Sequence, residues 1–256
     1  RDSQLSAILV GPQHLLDAEL DSLPASLSRV RDRLQTLAVD GIVASDARPS
    51  RVLRSREPSS MSQALGLVAK GQADACVSAG NTGALMALGM REVGRVKGVE
   101  RPAICAAVPT RGARACSLLD LGANVDVAPH HLLAFARMGA MRSRLIDAVE
   151  RPRVGLLNVG VESVKGTAQV QEAHALLAGS ESDFDYLGFV EGGDLFSGKV
   201  DVVVCDGFVG NVVLKSSEGL AQMLSAQLGA TLAASWRTRL MAWLARPALT
   251  RLSREL

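Results

Sequence analysis

The chain has 256 residues and a formal net charge of +2, which is too small to indicate nucleic-acid binding by itself. Hydrophobic residues make up 48% of the chain and charged residues 21%, as in an ordinary globular protein, and the 3% of aromatic residues requires an aliphatic core. No apolar run reaches the roughly 18 residues of a membrane-spanning helix.

Short apolar runs alternate with helical patterns along the chain. We predict strands at residues 7–10, 34–38, 75–78, 103–108, 115–119, 154–158, 186–189 and 200–205, and helices at residues 62–70, 82–91, 129–141 and 167–177. Several runs are apolar at every position, which is typical of strands covered by helices on both faces. The alternation predicts an α/β fold with a mainly parallel sheet. Because Arg1 lies almost directly before a strand, we expect both ends of the natural protein to lie outside this sequence.

Four strand-to-helix junctions share one pattern, in which an apolar run ends in glycines with Asn, Asp or Lys before a helix begins. We number them junctions 1 to 4: residues 77–86 (VSAGNTGALM), 118–129 (LLDLGANVDVAP), 156–167 (LLNVGVESVKGT) and 202–215 (VVVCDGFVGNVVLK). Only five of the 28 basic residues are lysines, and two of these, Lys165 and Lys215, lie in junctions 3 and 4.

The junctions predict a shared anion site. The carboxyl ends of parallel strands lie at one edge of a sheet, where ligands bind. Helix N-termini at that edge present unpaired N–H groups and the positive end of the helix dipole. Each junction taken alone is also explained by a tight turn with a polar helix cap.

Other motifs are absent or incomplete. Residues 192–200 (GGDLFSGKV) nearly spell a P-loop, but Val200 stands where Ser or Thr would bind Mg²⁺ and the segment precedes a strand. We find neither a G-x-G-x-x-G after a strand nor a G-x-S-x-G elbow. Cys205 borders junction 4 and is an alternative nucleophile, without a His beside it in sequence. The four cysteines and four histidines lack metal-ligand spacing, so we expect buried thiols, a reducing compartment and no metal.

The junctions together resemble one family, the bacterial phosphate acyltransferases of phospholipid synthesis. The resemblance is carried by SAGNTGALM, ERPA, LLDLGANVD, PRVGLLNVGVESVKG and DVVVCDGFVGNVVLK, and it extends from about Ile8 to the C-terminus. VASDARPSRVLRS followed by SSM is similar to the gammaproteobacterial branch. The family's usual Met-Gly-Gly-Asp loop near the start and its Tyr/Asn-Gly-Gly/Ala and His-Gly-Ser/Ala segments near the end are not in this sequence, so no site residue can be assigned from them.

The resemblance implies a three-layer α/β/α fold akin to isocitrate dehydrogenase and phosphotransacetylase, a homodimer, and neither metal nor organic cofactor. It implies transfer of a long-chain acyl group from acyl-acyl carrier protein to inorganic phosphate, giving acyl phosphate for a membrane glycerol-3-phosphate acyltransferase. It also implies a cytoplasmic location with peripheral association with the inner face of the cell membrane. Residues 1–232 would form the α/β acyltransferase domain, and residues 233–256 a basic amphipathic helical segment for dimer or membrane contact.

The reaction needs a phosphate held in line with a thioester carbonyl and donors for the developing oxyanion. We expect direct attack by phosphate, with positive charge from lysines and amide donors from asparagines, while aspartates orient these groups or handle a phosphate proton. Alternatively, Asp120 and Asp206 only cap helices and Lys215 points to solvent. The predicted catalytic residues are Asn81, Asn124, Lys165 and Asp206. The predicted phosphate and thioester contacts are Ser78, Gly80, Thr82, Gly83, Asp126, Asn158, Glu162, Gly166, Gly207, Gly210, Asn211 and Lys215.

Two larger surfaces follow from the resemblance. Acyl carrier protein is strongly acidic, so its docking surface is expected to be rich in arginine. The candidate pairs are Arg54 with Arg56, Arg111 with Arg114, and Arg142 with Arg144, although surface arginines often only solvate a fold.

The second surface lies in residues 233–256. The residues Trp236, Leu240, Trp243 and Leu244 share one helical face with basic flanks, which is typical of a helix lying on anionic lipid. The alternative is a helical hairpin buried in a dimer, and Pro247 is predicted to break the helix.

Three rival functions remain. A phosphotransacetylase-like enzyme would use acyl-coenzyme A as donor. A non-catalytic phosphoanion-binding or membrane-scaffolding protein would bind phosphate without turnover. A metal-dependent dehydrogenase of the same fold is disfavoured by the missing dinucleotide features.

Overall fold

The computed structural model describes residues 5–255, without the side chains of residues 28, 29 and 252–255. The chain divides between Gly98 and Val99 into two compact units.

The N-terminal unit contains a two-stranded parallel sheet and five α-helices within its described residues. Its elements in chain order are β1 (Ala7–Gly11), α1 (Gln13–Asp21), α2 (Ser28–Arg31), β2 (Leu34–Ala38), α3 (Pro49–Arg54), α4 (Ser60–Ala69) and α5 (Thr82–Glu92). Met61 and Leu65 of α4 pack against Ala84 and Leu88 of α5 to form its small core.

The C-terminal unit contains a five-stranded sheet in the order β3-β4-β7-β5-β6. Its elements are β3 (Cys105–Val108), β4 (Cys116–Leu119), α6 (Pro129–Ile146), β5 (Arg153–Leu157), α7 (Ala168–Ala178), β6 (Asp185–Val190), β7 (Val202–Val204), α8 (Gly207–Ala233) and α9 (Trp236–Glu255). Strand β3 is antiparallel to β4, and the other neighbours are parallel. The predicted mainly parallel α/β fold is therefore confirmed.

Helices cover both faces of this sheet. On one face, Val202 and Val204 pack with Phe135 of α6 and Leu177 of α7. On the other face, Val203 belongs to a second cluster, against which Val213 and Leu214 of α8 pack. The three strand residues of β7 are completely buried, which explains why the sequence there is apolar at every position.

One predicted strand was wrong. Residues 75–78 form no strand, and the side chain of Val77 is 96% exposed. The run is apolar, but within the described residues no neighbouring strand pairs with it, and an extended segment forms a strand only with a pairing partner. Junction 1 therefore begins in an irregular segment, whereas junctions 2, 3 and 4 each follow a strand.

Two further expectations were wrong in detail. Cys116 and Cys205 are buried as predicted, but Cys105 is exposed and Cys76 is only half-buried. Pro247 does not break the C-terminal helix, because α9 continues through it. A proline inside a helix removes one backbone hydrogen bond, and here the helix continues on both sides of that loss.

Candidate active site

Junctions 2 and 4 are in direct contact at the carboxyl edge of the sheet. Strands β4 and β7 lie side by side, with Leu119 opposite Val204. The Gly207 N–H donates to the Asn124 carbonyl at 2.8 Å. A Cβ atom at Gly207 would lie only 2.8–3.0 Å from the Asn124 backbone, so this approach of the two loops requires glycine. Junction 3 follows β5, which pairs with the other side of β7, so three junctions share one edge.

Asp120 is the organising residue of junction 2. Its carboxylate is completely buried and accepts hydrogen bonds from the backbone N–H groups of Ile104 at 3.0 Å, Ala123 at 3.1 Å and Asn124 at 2.7 Å. It also accepts from the Asn124 side-chain amide at 2.8 Å. A carboxylate with this many donors is satisfied within the protein, so Asp120 fixes the loop.

The side-chain amides of Asn124 and Asn158, which were predicted to contact substrate, already donate to oxygens of the protein. Asn124 Nδ2 also donates to the Pro102 carbonyl at 2.7 Å. Asn158 Nδ2 donates to the carbonyls of Gly160 and Lys165, each at 3.1 Å.

Asn81 is engaged in the same way in the N-terminal unit. Its Nδ2 donates to the carbonyls of Ser45 at 2.9 Å and Ala47 at 3.0 Å, while its Oδ1 caps α5 by accepting from the Ala84 N–H at 2.9 Å. Each of these three amides has two N–H groups, and both are directed to oxygens of the protein: two carbonyls for Asn81 and for Asn158, and one carbonyl and the Asp120 carboxylate for Asn124. Their observed contacts hold loops in place.

Asn211 differs from the other asparagines. It lies exposed on the first turns of α8, and its side chain has no hydrogen-bond partner among the residues that the structure describes. The backbone of Gly122, with φ of +114°, faces its side chain, since a Cβ built there would lie 3.6 Å from Asn211 Cγ. Asn211 thus presents a free amide where junctions 2 and 4 meet.

The predicted lysines each have an acidic partner on the same segment. Lys165 Nζ lies 2.8 Å from Glu162 Oε1, and both side chains are about half exposed. The hydrogen bond from Lys165 lowers the pKa of Glu162. Gly160 makes room for this pair, because a Cβ there would lie 2.6 Å from Lys165 Cδ. Lys215 Nζ lies 2.8 Å from Glu218 Oε2 on the exposed surface of α8.

The remaining predicted contacts lie at helix starts and in the loops. Asp206 caps α8 by accepting from the Val209 N–H at 2.8 Å, and the Ser78 hydroxyl accepts from the Gly80 N–H at 3.2 Å. Asp126 is exposed. The other positions, all within the same four junctions, are Thr82, Gly83, Gly166 and Gly210. The junction 1 residues belong to the N-terminal unit and the others to the C-terminal unit.

Comparison with known proteins decides the family. A family model described as "Fatty acid synthesis protein" matches residues 1–256. A phosphate acyltransferase of Pseudomonas putida strain KT2440 is 48% identical over 252 residues, which cover 98% of this chain and 73% of that protein. The chain belongs to the bacterial phosphate acyltransferase family. A relative of that name from Alcanivorax borkumensis is 44% identical over 260 residues, covering 100% of this chain and 74% of that protein.

Membership of the phosphate acyltransferase family confirms the resemblance found in the sequence and makes the protein an acyltransferase. A solved structure, EutD phosphotransacetylase from Staphylococcus aureus, superimposes with a TM-score of 0.52 at 15% identity, covering 85% of this chain and 83% of that one. The phosphotransacetylase-like fold is therefore confirmed. Within the described residues, no helix combines the length and hydropathy needed to cross a membrane.

The thiol of Cys205 is unsuited to nucleophilic attack in this protein. It is buried beneath junction 4, with Sγ 3.6 Å from the Asp120 carbonyl. Burial, together with the nearby Asp206 and Asp120 charges, raises the pKa of the Cys205 thiol far above its ordinary value. Because the thiolate is the reactive form, a buried thiol with a raised pKa is inert.

The arginine pairs differ in their surroundings. Arg142 donates to the Ser117 hydroxyl and to Asp147, both at 2.7 Å, and Arg144 pairs with Asp183 at 2.9 Å. These two guanidinium groups are engaged within the C-terminal unit. The members of the other two pairs, Arg54 and Arg56 in the N-terminal unit and Arg111 and Arg114 in the loop before β4, are exposed.

Glu100, His130 and His131 form a cluster that the sequence did not predict. Glu100 Oε2 lies 3.1 Å from His130 Nε2 and 3.3 Å from His131 Nε2, a spacing that suits metal ligands. However, His131 Nδ1 accepts from the Ala128 N–H at 2.9 Å, so a neutral His131 ring carries its proton on Nε2. That nitrogen then has no lone pair for a metal. Because thirty residues separate Glu100 from His130, no local motif could reveal this cluster.

Proposed function

We propose that this chain transfers a long-chain acyl group from acyl-acyl carrier protein to inorganic phosphate. The product would be an acyl phosphate for phospholipid synthesis. Family membership supports acyl transfer, and the names of the relatives support phosphate as acceptor. The observation that carries the proposal is the meeting of junctions 2 and 4, where Asn211 presents an unengaged amide beside a glycine backbone.

Direct attack fits the side chains of this edge. A phosphate oxygen adds to the thioester carbonyl carbon, the carbon–sulfur bond then breaks, and the carrier thiolate leaves and takes a proton. No acyl-enzyme forms, so the inert Cys205 is consistent with this route. Lys165 and Lys215 would offer positive charge to phosphate, and Asn211 would donate to phosphate or to the oxyanion.

The engaged residues would act indirectly. Asn124 and Asn158 hold junctions 2 and 3, and Asp206 holds the start of α8. Asn81 holds the loop of residues 45–47 in the N-terminal unit. We therefore propose positioning roles for these four residues, with Asn211, Lys165 and Lys215 contacting substrate.

A donor assay tests this function. The purified protein is mixed with palmitoyl-acyl carrier protein, and the free thiol of the carrier is measured with and without inorganic phosphate. Thiol release that depends on phosphate, with formation of palmitoyl phosphate, is expected. Phosphate binding without thiol release would instead favour a non-catalytic phosphoanion-binding protein.

The second candidate uses acyl-coenzyme A as the donor. It is favoured by the fold shared with EutD phosphotransacetylase. The two donors are compared by kcat/KM at one phosphate concentration. A higher kcat/KM with acyl-coenzyme A would identify acyl-coenzyme A, and not the acyl carrier protein, as the physiological donor.

Two contact surfaces complete the proposal. For carrier docking we propose the exposed pairs Arg54 with Arg56 and Arg111 with Arg114. For membrane contact we propose the face of α9 that carries Trp236, Leu240, Trp243 and Leu244, each more than half exposed.

We also propose a homodimer. Helix α8 exposes Leu220, Met223, Leu224 and Leu228, and a second copy of the chain would bury these side chains.

A further inference from the structure

A cavity in the N-terminal unit is surrounded by arginines. Its volume is about 870 Å³, and it lies between the loop of residues 41–48, helix α3, the loop of residues 55–59 and helix α5. Four arginines line it: Arg48, Arg51, Arg54 and Arg91. Among the described residues only two acidic ones, Asp46 and Glu57, line the same cavity, so its wall carries an excess of positive charge.

Three of these arginines have no acidic partner among the described residues. Arg48, Arg51 and Arg54 are exposed, and none forms an ion pair within the part of the chain that the structure describes. By contrast, Arg142, Arg144 and Arg153 of the C-terminal unit are all paired with carboxylates. Unpaired guanidinium groups gathered around one cavity attract an anion, and their planar donors match a phosphate in pairs.

The fourth arginine, Arg91 of α5, binds the end of α3 through hydrogen bonds. Arg91 Nη1 donates to the carbonyls of Leu53 at 3.2 Å and Ser55 at 3.0 Å, while its Nη2 pairs with Glu92 at 2.7 Å. The C-terminal end of α3, which carries Arg51 and Arg54, is therefore held against α5.

Asn81 holds the loop of residues 45–47, which leads into α3. It binds the carbonyls of Ser45 and Ala47, directly before Arg48. The Ser60 N–H donates to the Gly41 carbonyl at 2.8 Å and joins the start of α4 to the start of the loop of residues 41–48. The arginines are thus carried on a segment that is fixed before a ligand arrives, which lowers the cost of binding.

We infer that this cavity binds the phosphodiester end of a 4′-phosphopantetheine arm, the group that joins an acyl thioester to its carrier. This inference rests on the proposed function, because it assumes a carrier-bound thioester donor. The volume falls in the range of small-molecule sites, and inorganic phosphate alone would fill little of it. Ile42, Val43 and Leu88 also line the cavity and suit the methyl and methylene groups of the arm.

Two donors that differ only in this phosphate test the inference. The kcat/KM of palmitoyl-4′-phosphopantetheine is divided by that of palmitoyl-pantetheine for the wild type, for Arg51→Gln and for Arg54→Gln. We expect a wild-type ratio of roughly ten to a hundred, the scale of losing a hydrogen bond to a charged group. We expect each variant to bring the ratio close to one. Arg137→Gln, which removes an exposed charge from α6, is the matched control and should keep the wild-type ratio.

Other outcomes would overturn the inference. A wild-type ratio near one, or an unchanged ratio in both variants, removes the phosphodiester from this cavity. A raised KM for inorganic phosphate with an unchanged donor ratio would assign the arginines to the acceptor phosphate instead.

The inference can fail separately from the proposed function. If no thioester is turned over, binding of free 4′-phosphopantetheine and of pantetheine is measured by calorimetry on the same proteins. Tighter binding of the phosphorylated compound, weakened at least tenfold in Arg51→Gln, supports the cavity. Equal binding of the two compounds rejects it.

Discussion

The side-chain amide of Asn124 donates to the buried carboxylate of Asp120 at 2.8 Å. This contact joins the end of β4 to the loop that receives the Gly207 N–H. It also explains why an Asn in the motif LGANVD need not touch substrate. The amide belongs to the loop, and the loop shapes the edge of the site.

Removing the carboxylate of Asp120 should destabilise the protein. In Asp120→Ala, three backbone N–H groups and one amide lose their acceptor in a buried place, which costs roughly 2–4 kcal/mol of unfolding free energy. Urea unfolding at neutral pH measures this. Asp126→Ala removes an exposed carboxylate from the same loop and should change the unfolding free energy by less than about 0.5 kcal/mol. Similar losses in both variants would contradict the organising role of Asp120.

Lys165 should contribute to the use of inorganic phosphate, the acyl acceptor. Lys165→Ala is expected to lower kcat/KM for inorganic phosphate by roughly tenfold to a thousandfold, the scale of losing a charged donor. Steady-state kinetics with varied phosphate measure this. Lys97→Ala, at an exposed position of the N-terminal unit, is the control. Unchanged kcat and KM in Lys165→Ala would remove Lys165 from the site.

Substitution of Asn211 should mainly lower activity, whereas substitution of Asn158 should lower thermal stability. Asn211→Ala should lower kcat/KM by roughly ten- to a hundredfold with little change in Tm, because its amide is engaged with no described residue. Asn158→Ala should lower Tm, because junction 3 loses two hydrogen bonds. Thermal unfolding and kinetics on both variants are the measurements. A stability loss in Asn211→Ala equal to that in Asn158→Ala would argue for a structural role at both positions.

The carboxylate of Asp201 should make the free energy of unfolding depend on pH. Burial acts to raise its pKa, but hydrogen bonds from the Arg153 side chain and backbone, with the charges of Arg153 and Arg114, outweigh burial and lower it. A lowered pKa in the folded state means that the stabilisation is complete above the unfolded value of about 3.9 and is lost as pH falls through the folded pKa.

The comparison is between wild type and Asp201→Asn. The variant should be less stable at pH 7, and the difference in unfolding free energy should shrink as pH falls below about 4. Urea unfolding at pH 7, 5 and 3 measures it. A difference that stays constant over this range would show that the ionised carboxylate contributes nothing beyond its neutral form.

The apolar face of α9 should bind lipid. Trp243→Glu places a charge on the exposed face that holds Trp236 and should reduce co-sedimentation with vesicles containing anionic lipid. Ala245→Glu adds the same charge on the far side of the helix and should bind nearly as the wild type does. Equal binding of all three proteins would favour the dimer interface as the use of this face.

The sequence determined those features that depend on neighbouring residues. The apolar run of Val202, Val203 and Val204 predicted a strand buried on both faces, and the glycine-rich junctions identified the phosphate acyltransferase family. Both signals are local, since a buried strand and a helix start are each indicated by residues that lie within a few positions of one another. The same local signal gave a wrong prediction at Val77, where the apolar run has no strand beside it within the part of the chain that the structure describes.

Tertiary structure alone decided what each polar side chain contacts. Asn81 binds carbonyls 34 and 36 positions away, Asp120 binds the N–H of Ile104 across 16 positions, and Asn211 is left unengaged. A sequence shows that an amide is present, but its hydrogen-bond partners depend on which distant segments the fold brings within about 3 Å. For the same reason the sequence did not reveal the cavity between α3 and α5: it marked Arg54 as a docking candidate but could not show that Arg48, Arg51 and Arg91 line the same cavity.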